Sequence, residues 1–296
     1  MKKLLLTILA LTLVLAMAIP ALAADELLIY DFADGSQTDG KIGWNEGLTT
    51  QYGIPEPTVN VQNGQLTITP QAGNFWAGSI YFDLAKGCEW LGDLSEGLES
   101  GEYNYIRLYI KNNMPCDDQT DTFGFSFSLQ KMDDTNEYNT NWGAADFSKA
   151  LFFNMDGSKA DIEVSPDINN GSSDRNGYKN GYITLPKGFE GYIFISAKLA
   201  DFPTHTTWGL TPLDNFSNLG RLELDLRNAG TSCDGSTNNL ILDDIALVKT
   251  AEVPKAPVNP DDDKTDKPGE DGDISIVLYA AAAISGLGAL AIRKRK

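Results

Sequence analysis

Three stretches of this chain alternate apolar and polar residues one for one, and a period of two is what a strand buried on one face requires. In 103–111, Ile106, Leu108 and Ile110 share one face, opposite Tyr105, Arg107, Tyr109 and Lys111. In 122–131, Phe123, Phe125, Phe127 and Leu129 oppose Gly124, Ser126, Ser128 and Gln130. In 221–227, Leu222, Leu224 and Leu226 oppose Glu223 and Asp225. Less regular runs fall at 27–32, 65–69, 79–84, 151–155, 161–164, 182–185, 192–199 and 239–249. Gly, Asn and Asp clusters separate them, residues that accept positive φ or bond their own backbone at turns. About eleven short strands without a convincing amphipathic helix predict an all-β chain, a jelly-roll β-sandwich. The absence of a fixed-period repeat argues against a propeller or solenoid. Residues 24–250 are long enough for one sizeable core, so a single domain is expected there.

Both ends carry targeting chemistry. Met1-Lys2-Lys3 is a positive start, Leu4 to Ile19 is apolar, Pro20 breaks the run, and Ala21-Leu22-Ala23 has the small-x-small pattern of a cleavage site. Residues 1–23 therefore read as a secretory signal peptide. Residues 274–292 (ISIVLYAAAAISGLGALAI) hold no charge. As a helix they span about 28 Å, close to the ~30 Å hydrocarbon core of a bilayer. Residues 293–296 are Arg, Lys, Arg and Lys, a basic tail that the positive-inside rule keeps in the cytoplasm. The body is thus expected on the extracellular face, anchored by a C-terminal transmembrane helix. Residues 251–273 are rich in proline and acidic residues. Such a linker stays extended and could lift the domain up to about 70 Å from the membrane.

The order of acidic stretch, apolar span and basic tail resembles the C-terminal sorting region of Gram-positive cell-wall proteins. Residues 267–273 (KPGEDGD) lack the Leu-Pro and Thr-Gly of an LPXTG motif. A plain membrane tether is expected instead of sortase attachment.

The inventory of reactive groups is thin. His205 is the one histidine, which removes His-rich zinc sites and leaves any Ser–His–Asp triad dependent on a loop residue. No GxSxG, P-loop or dinucleotide-binding glycine motif is present. Cys88, Cys116 and Cys233 form an odd count without CxxC, so no disulfide framework is expected and at most one bridge. A pair of carboxylates could still hydrolyse a glycoside, but a chain with 41 Asp and Glu residues contains such pairs by chance. No enzyme is predicted. The formal net charge of −18 argues against a nucleic-acid partner, which needs a basic face.

Two constellations point to binding. Trp44, Trp142 and Trp208 stand in Gly-, Asn- and Thr-rich loops rather than in alternating strands, and Tyr178 and Arg175 share a similar loop, 174–180. Aromatic platforms beside polar groups are what sugars need; the same tryptophans could instead pack over a sheet end. Trp76 and Trp90 lie nearer apolar runs and are expected in the core. The polar half of 103–111 (Tyr105, Arg107, Tyr109) is a further candidate platform. The second constellation is acidic: Asp31 and Asp34 end the first strand, and Asp243 and Asp244 lie in the last. They converge on a calcium site if those strands are neighbours, or Asp243 and Asp244 are an ordinary edge-strand pair.

Residues 28–35 (LIYDFADG), 185–195 (LPKGFEGYIFI) and 240–248 (LILDDIALV), in that order, resemble the opening, late and closing strands of calcium-containing jelly-roll carbohydrate-binding modules with a galactose-binding-like fold. The resemblance implies a structural calcium touching Asp31, Asp34 and Asp243 or Asp244, and no catalysis. The expected function is a cell-surface, membrane-anchored module for a polysaccharide or glycan. The alternatives are a protein-binding adhesin or structural surface protein, and a jelly-roll glycoside hydrolase or lyase.

Overall fold

The protein was analysed as a computed structural model, which describes residues 25–33, 42–44, 57–69, 78–113, 122–132, 138–165, 180–204, 209–228 and 239–254. The predicted signal peptide, transmembrane span and basic tail, and most of the predicted linker, lie outside the described residues. Among the described residues no helix is long and apolar enough to cross a membrane. The chain divides into two compact units, 1–253 and 254–296, and the described residues fall almost wholly in the first.

That unit is two antiparallel sheets packed face to face. The first contains β1 (Glu26–Tyr30), β3 (Thr58–Gln62), β4 (Gln65–Thr69), β6 (Tyr105–Asn112), β9 (Leu151–Asn154), β12 (Glu190–Ser196) and β14 (Leu240–Val248). Its order is β3-β4-β14-β6-β12-β9, with β1 also paired to β14. The second contains β2 (Ile42–Trp44), β5 (Gly78–Asp83), β7 (Thr122–Met132), β8 (Tyr138–Ala144), β10 (Glu163–Ser165), β11 (Tyr182–Pro186) and β13 (Leu219–Asn228). Its order is β10-β11-β7-β13-β5-β2, with β8 also paired to β7. First and last strands are neighbours, as expected: Leu28 faces Ala246 and Tyr30 faces Ile245.

The alternation read from the sequence decides what the sandwich buries. Ile106, Leu108 and Ile110 meet Phe125, Phe127, Leu129, Leu222, Leu224 and Leu226 in one core, each at most 3% exposed. Burying a side chain of this size stabilises by about 1.5–3 kcal/mol, and no face of either sheet could be reversed without exposing it.

Besides the unforeseen strand β2, three elements depart from the sequence reading. An α-helix, α1 (Trp90–Ser100), stands where none was expected. Trp90, Leu91, Leu94 and Leu98 form its buried face, at helical spacing. Gly101 ends it in the left-handed region, its N–H donating to Leu98 O at 3.2 Å. Trp90 stacks on Tyr30, ring centroids 5.3 Å apart, and so lies in the core as expected. Ser95 Oγ donates to Phe216 O at 2.6 Å, fixing the helix to the entry of β13. Second, β3 and β4 form a hairpin through Asn63 and Gly64, with φ of 54° and 75°. Positive φ at both positions is the two-residue turn that Asn-Gly favours. Third, the Asn-rich segment holding Trp142 is strand β8, not loop.

Candidate functional site

The outer face of the second sheet concentrates polar and aromatic side chains. Cross-strand register sets their order. On β13, Arg221, Glu223 and Asp225 point away from the core. On β7 their neighbours are Gln130, Ser128 and Ser126. On β5, Asp83 faces Arg221 and Tyr81 faces Glu223. Beyond β7, Trp142 faces Gln130 and Ala144 faces Ser128, while Tyr182 begins β11. The small residues therefore form a floor along β7, with taller groups on either side. From β8 across β7 and β13 to β5 are three strand spacings, about 14 Å.

One wall is aromatic and largely buried. Trp142 (8% exposed), Ala144 and Tyr182 (3%) pack together with Leu210. The Tyr182 hydroxyl reaches across the floor and donates to Asp225 Oδ2. Ser128 Oγ donates to Glu223 Oε2 at 3.5 Å. The other wall is an arginine laid on a tyrosine: Arg221 Cζ sits 4.1 Å from the centroid of the Tyr81 ring. Asp83, 1% exposed, accepts from Arg221 Nε at 2.7 Å and holds it there, while Lys86 Nζ lies 3.9 Å from its second oxygen. A buried carboxylate persists only when paired in this way. The result is a trough whose floor is filled: Ser126 and Ser128 are 1% and 2% exposed beneath the side chains around them, and the groups that reach solvent are the half-buried Tyr81, Gln130, Arg221, Glu223 and Asp225.

The sequence-predicted site residues fare unevenly. Trp142 borders this trough, but buried in a strand and not on a loop. Trp44 falls in β2 opposite Ile80, so its backbone too is strand. Trp208, Tyr178, Arg175 and Asp34 lie outside the described residues, as does His205. The platform read from the polar half of β6 is covered: Arg107 is 4% and Tyr109 7% exposed, packed with Tyr192, Phe194, Ala246 and Val248. Tyr109 Oη donates to Glu190 Oε1 at 2.9 Å. Burial, with Glu190 as the second cause, pushes the phenol far above its usual range. Tyr81, Tyr182, Arg221, Glu223 and Asp225 were not singled out as binding residues. The signal for the last two was present in the polar half of 221–227.

The acidic constellation is partly assembled. Asp31, Asp243 and Asp244 are near enough to act on one another, Asp31 raising the carboxyls of both last-strand residues. Burial is the main cause that pushes Asp243 and Asp244 above the ordinary aspartate range; the Asp244 N–H and Gln65 pull Asp243 back, and Arg107 pulls Asp244 back. Four of their six oxygens accept from N–H donors. Asp31 Oδ1 accepts from Ala33 N at 3.0 Å, Asp243 Oδ1 from Asp244 N at 2.8 Å, and Asp243 Oδ2 from Gln65 Nε2 at 3.2 Å. Asp244 Oδ1 accepts from Arg107 Nη2 at 2.7 Å. Among the described residues no group of three or more Asp, Glu, His or Cys side chains could hold a metal ion. Calcium wants six to eight oxygen ligands, more than the described residues bring together here, and Asp34, the remaining residue of the expected set, lies outside them.

No protein-family model matches the sequence, and no curated protein matches it. Among solved structures the chain is similar to the agarase AgWH50C, at 10% identity and a TM-score of 0.30 over 76% of this chain. The chain covers 25% of that agarase's length.

Proposed function

We propose that this protein is a jelly-roll carbohydrate-binding module displayed on the cell surface through its C-terminal anchor, binding glycan without turning it over. The observation that carries the reading is the trough on the outer face of the second sheet. Sugars offer hydroxyls that donate and accept, together with apolar ring faces. Glu223, Asp225 and Gln130 supply acceptors and donors on a regular sheet, and the Tyr81–Arg221 stack supplies a flat surface. A few placed polar groups between apolar flanks is the composition of a small-ligand site. The signal sequence, the acidic linker and the uncharged span with its basic tail support export and anchoring.

A glycan-array screen with the full-length protein tests this. Selective binding to one glycan class is expected. A folded protein that binds no glycan would contradict the reading and favour a protein-binding adhesin on the same scaffold. A second reading follows from Glu223 and Asp225, which leave one strand on the same side with backbones about 6.7 Å apart, a spacing compatible with paired glycosidase carboxylates. Release of reducing ends from the bound glycan, lost in Glu223→Gln, would replace binding by hydrolysis.

A further inference from the structure

One of the carboxylates that the family resemblance assigns to calcium, Asp244, meets an arginine. We propose that Arg107 takes the place of a metal ion at the seam between the first and last strands, so that this fold carries its own counter-cation and needs no divalent metal. The inference is independent of what the trough binds.

Arg107 lies in the middle of β6, between Phe194 of β12 and Ala246 of β14. Its side chain is 4% exposed. Both terminal nitrogens are engaged: Nη1 donates to Glu26 Oε2 and Nη2 to Glu26 Oε1, each at 2.9 Å, and Nη2 also donates to Asp244 Oδ1 at 2.7 Å. The guanidinium carbon lies 5.9 Å from the centroid of the Tyr192 ring. One planar cation thus joins β1, β6 and β14 through a two-pronged pair and a second carboxylate, a geometry that a guanidinium's fixed fork satisfies and an ammonium does not.

The backbone is shaped for this contact. Register shifts between Leu28 and Tyr30 in the β1–β14 pairing, and between Asp243 and Ala246 in the β14–β6 pairing. Asp244 sits at that irregularity with φ of 52°. A residue inserted into a strand can be re-aimed out of the alternation, and here its carboxylate reaches the arginine. Glu26, Asp31, Asp243 and Asp244 would repel one another around an uncompensated seam. With Arg107 in place, a divalent cation at Asp244 would stand beside a fixed positive charge.

The test is thermal unfolding of the full-length protein in calcium and in chelator, with Arg107→Met and Glu26→Gln beside the wild type. The wild-type midpoint is expected to be the same in both solutions. Arg107→Met is expected to lose on the order of 10 °C in both, or to fail to fold, because two carboxylates lose their counter-ion. Glu26→Gln, whose side chain is 46% exposed, should fold and lose only a few degrees. The proposal is overturned if chelator lowers the wild-type midpoint by several degrees and calcium restores it. It is equally overturned if Arg107→Met melts like the wild type.

Discussion

The bond from Tyr182 to Asp225 spans the trough floor, and replacing Tyr182 by Phe isolates it. The substitution keeps the ring that packs against Trp142 and Ala144 and removes only the hydroxyl that Asp225 accepts from. No cavity opens, so the loss is that of one hydrogen bond to a charged group, about 1.5–3 kcal/mol. For a domain of this size that corresponds to a fall of roughly 4–10 °C in the unfolding midpoint. Urea unfolding followed by tryptophan fluorescence should show a lower midpoint with an unchanged slope, the signature of altered stability without altered exposed surface. Tyr182→Ala should lose about 3–5 kcal/mol, because it also empties a packed site. Combined with Asp225→Ala, the Phe variant should lose less than the two single losses added together, since both remove the same bond. A Tyr182→Phe change below about 0.5 kcal/mol, the size of an ordinary surface substitution, would refute the claim that this bond ties the aromatic wall to β13.

Leu94 is fully buried on α1, so Leu94→Ala should cost about 2–5 kcal/mol in chemical denaturation, whereas Asp93→Ala on the exposed side should cost little. Gly64→Ala, at φ of 75° with no atom nearer than 3.8 Å to the added methyl, should lose about 1 kcal/mol through backbone strain alone. The two classes of perturbed carboxyl should titrate in opposite senses in carboxyl-carbon NMR. Lys111 holds Glu190 below its ordinary value, burial opposing it and Tyr109 adding a lesser lowering effect, so its stabilising contribution is complete above that ordinary value and disappears as pH falls through the folded one. Burial holds Asp243 above 3.8; its contribution is complete below 3.8 and is lost as pH rises through the folded value. Asp243→Asn should therefore lose less stability than the wild type between mildly acidic and neutral pH.

Strands were legible where the alternation was strict, because the core on one side and polar groups on the other select the same residues that the period selects. Phe125, Phe127 and Leu129 face the core and Ser126, Ser128 and Gln130 the opposite side of the sheet, as read, although neighbouring side chains cover the two serines. The helix was obscured by its own composition. Gly92 and Gly97 are poor helix formers, yet a side chain at Gly97 would collide with Leu247, so the close approach of helix to sheet requires one of the residues that hid it. Strand β8 was obscured by its asparagines; pairing with β7 and burial of Trp142 outweigh their turn preference. The site was legible only in halves. The polar half of β13 could be read, but not that Tyr182 would reach Asp225, because that depends on β11, β7 and β13 lying side by side. Likewise the convergence of first and last strands was foreseen from the resemblance, while the cation between them came from Arg107 on a third strand.

The central claim concerns which face binds. The most direct measurement is the affinity of a glycan found on the array for three full-length proteins: wild type, Glu223→Gln in the trough, and Tyr105→Ala on the outer face of the first sheet. The account predicts at least a tenfold loss for Glu223→Gln, equivalent to about 1.4 kcal/mol, and wild-type affinity for Tyr105→Ala. The reverse pattern, with Tyr105→Ala weakened and Glu223→Gln unchanged, would place the site on the opposite sheet and contradict it.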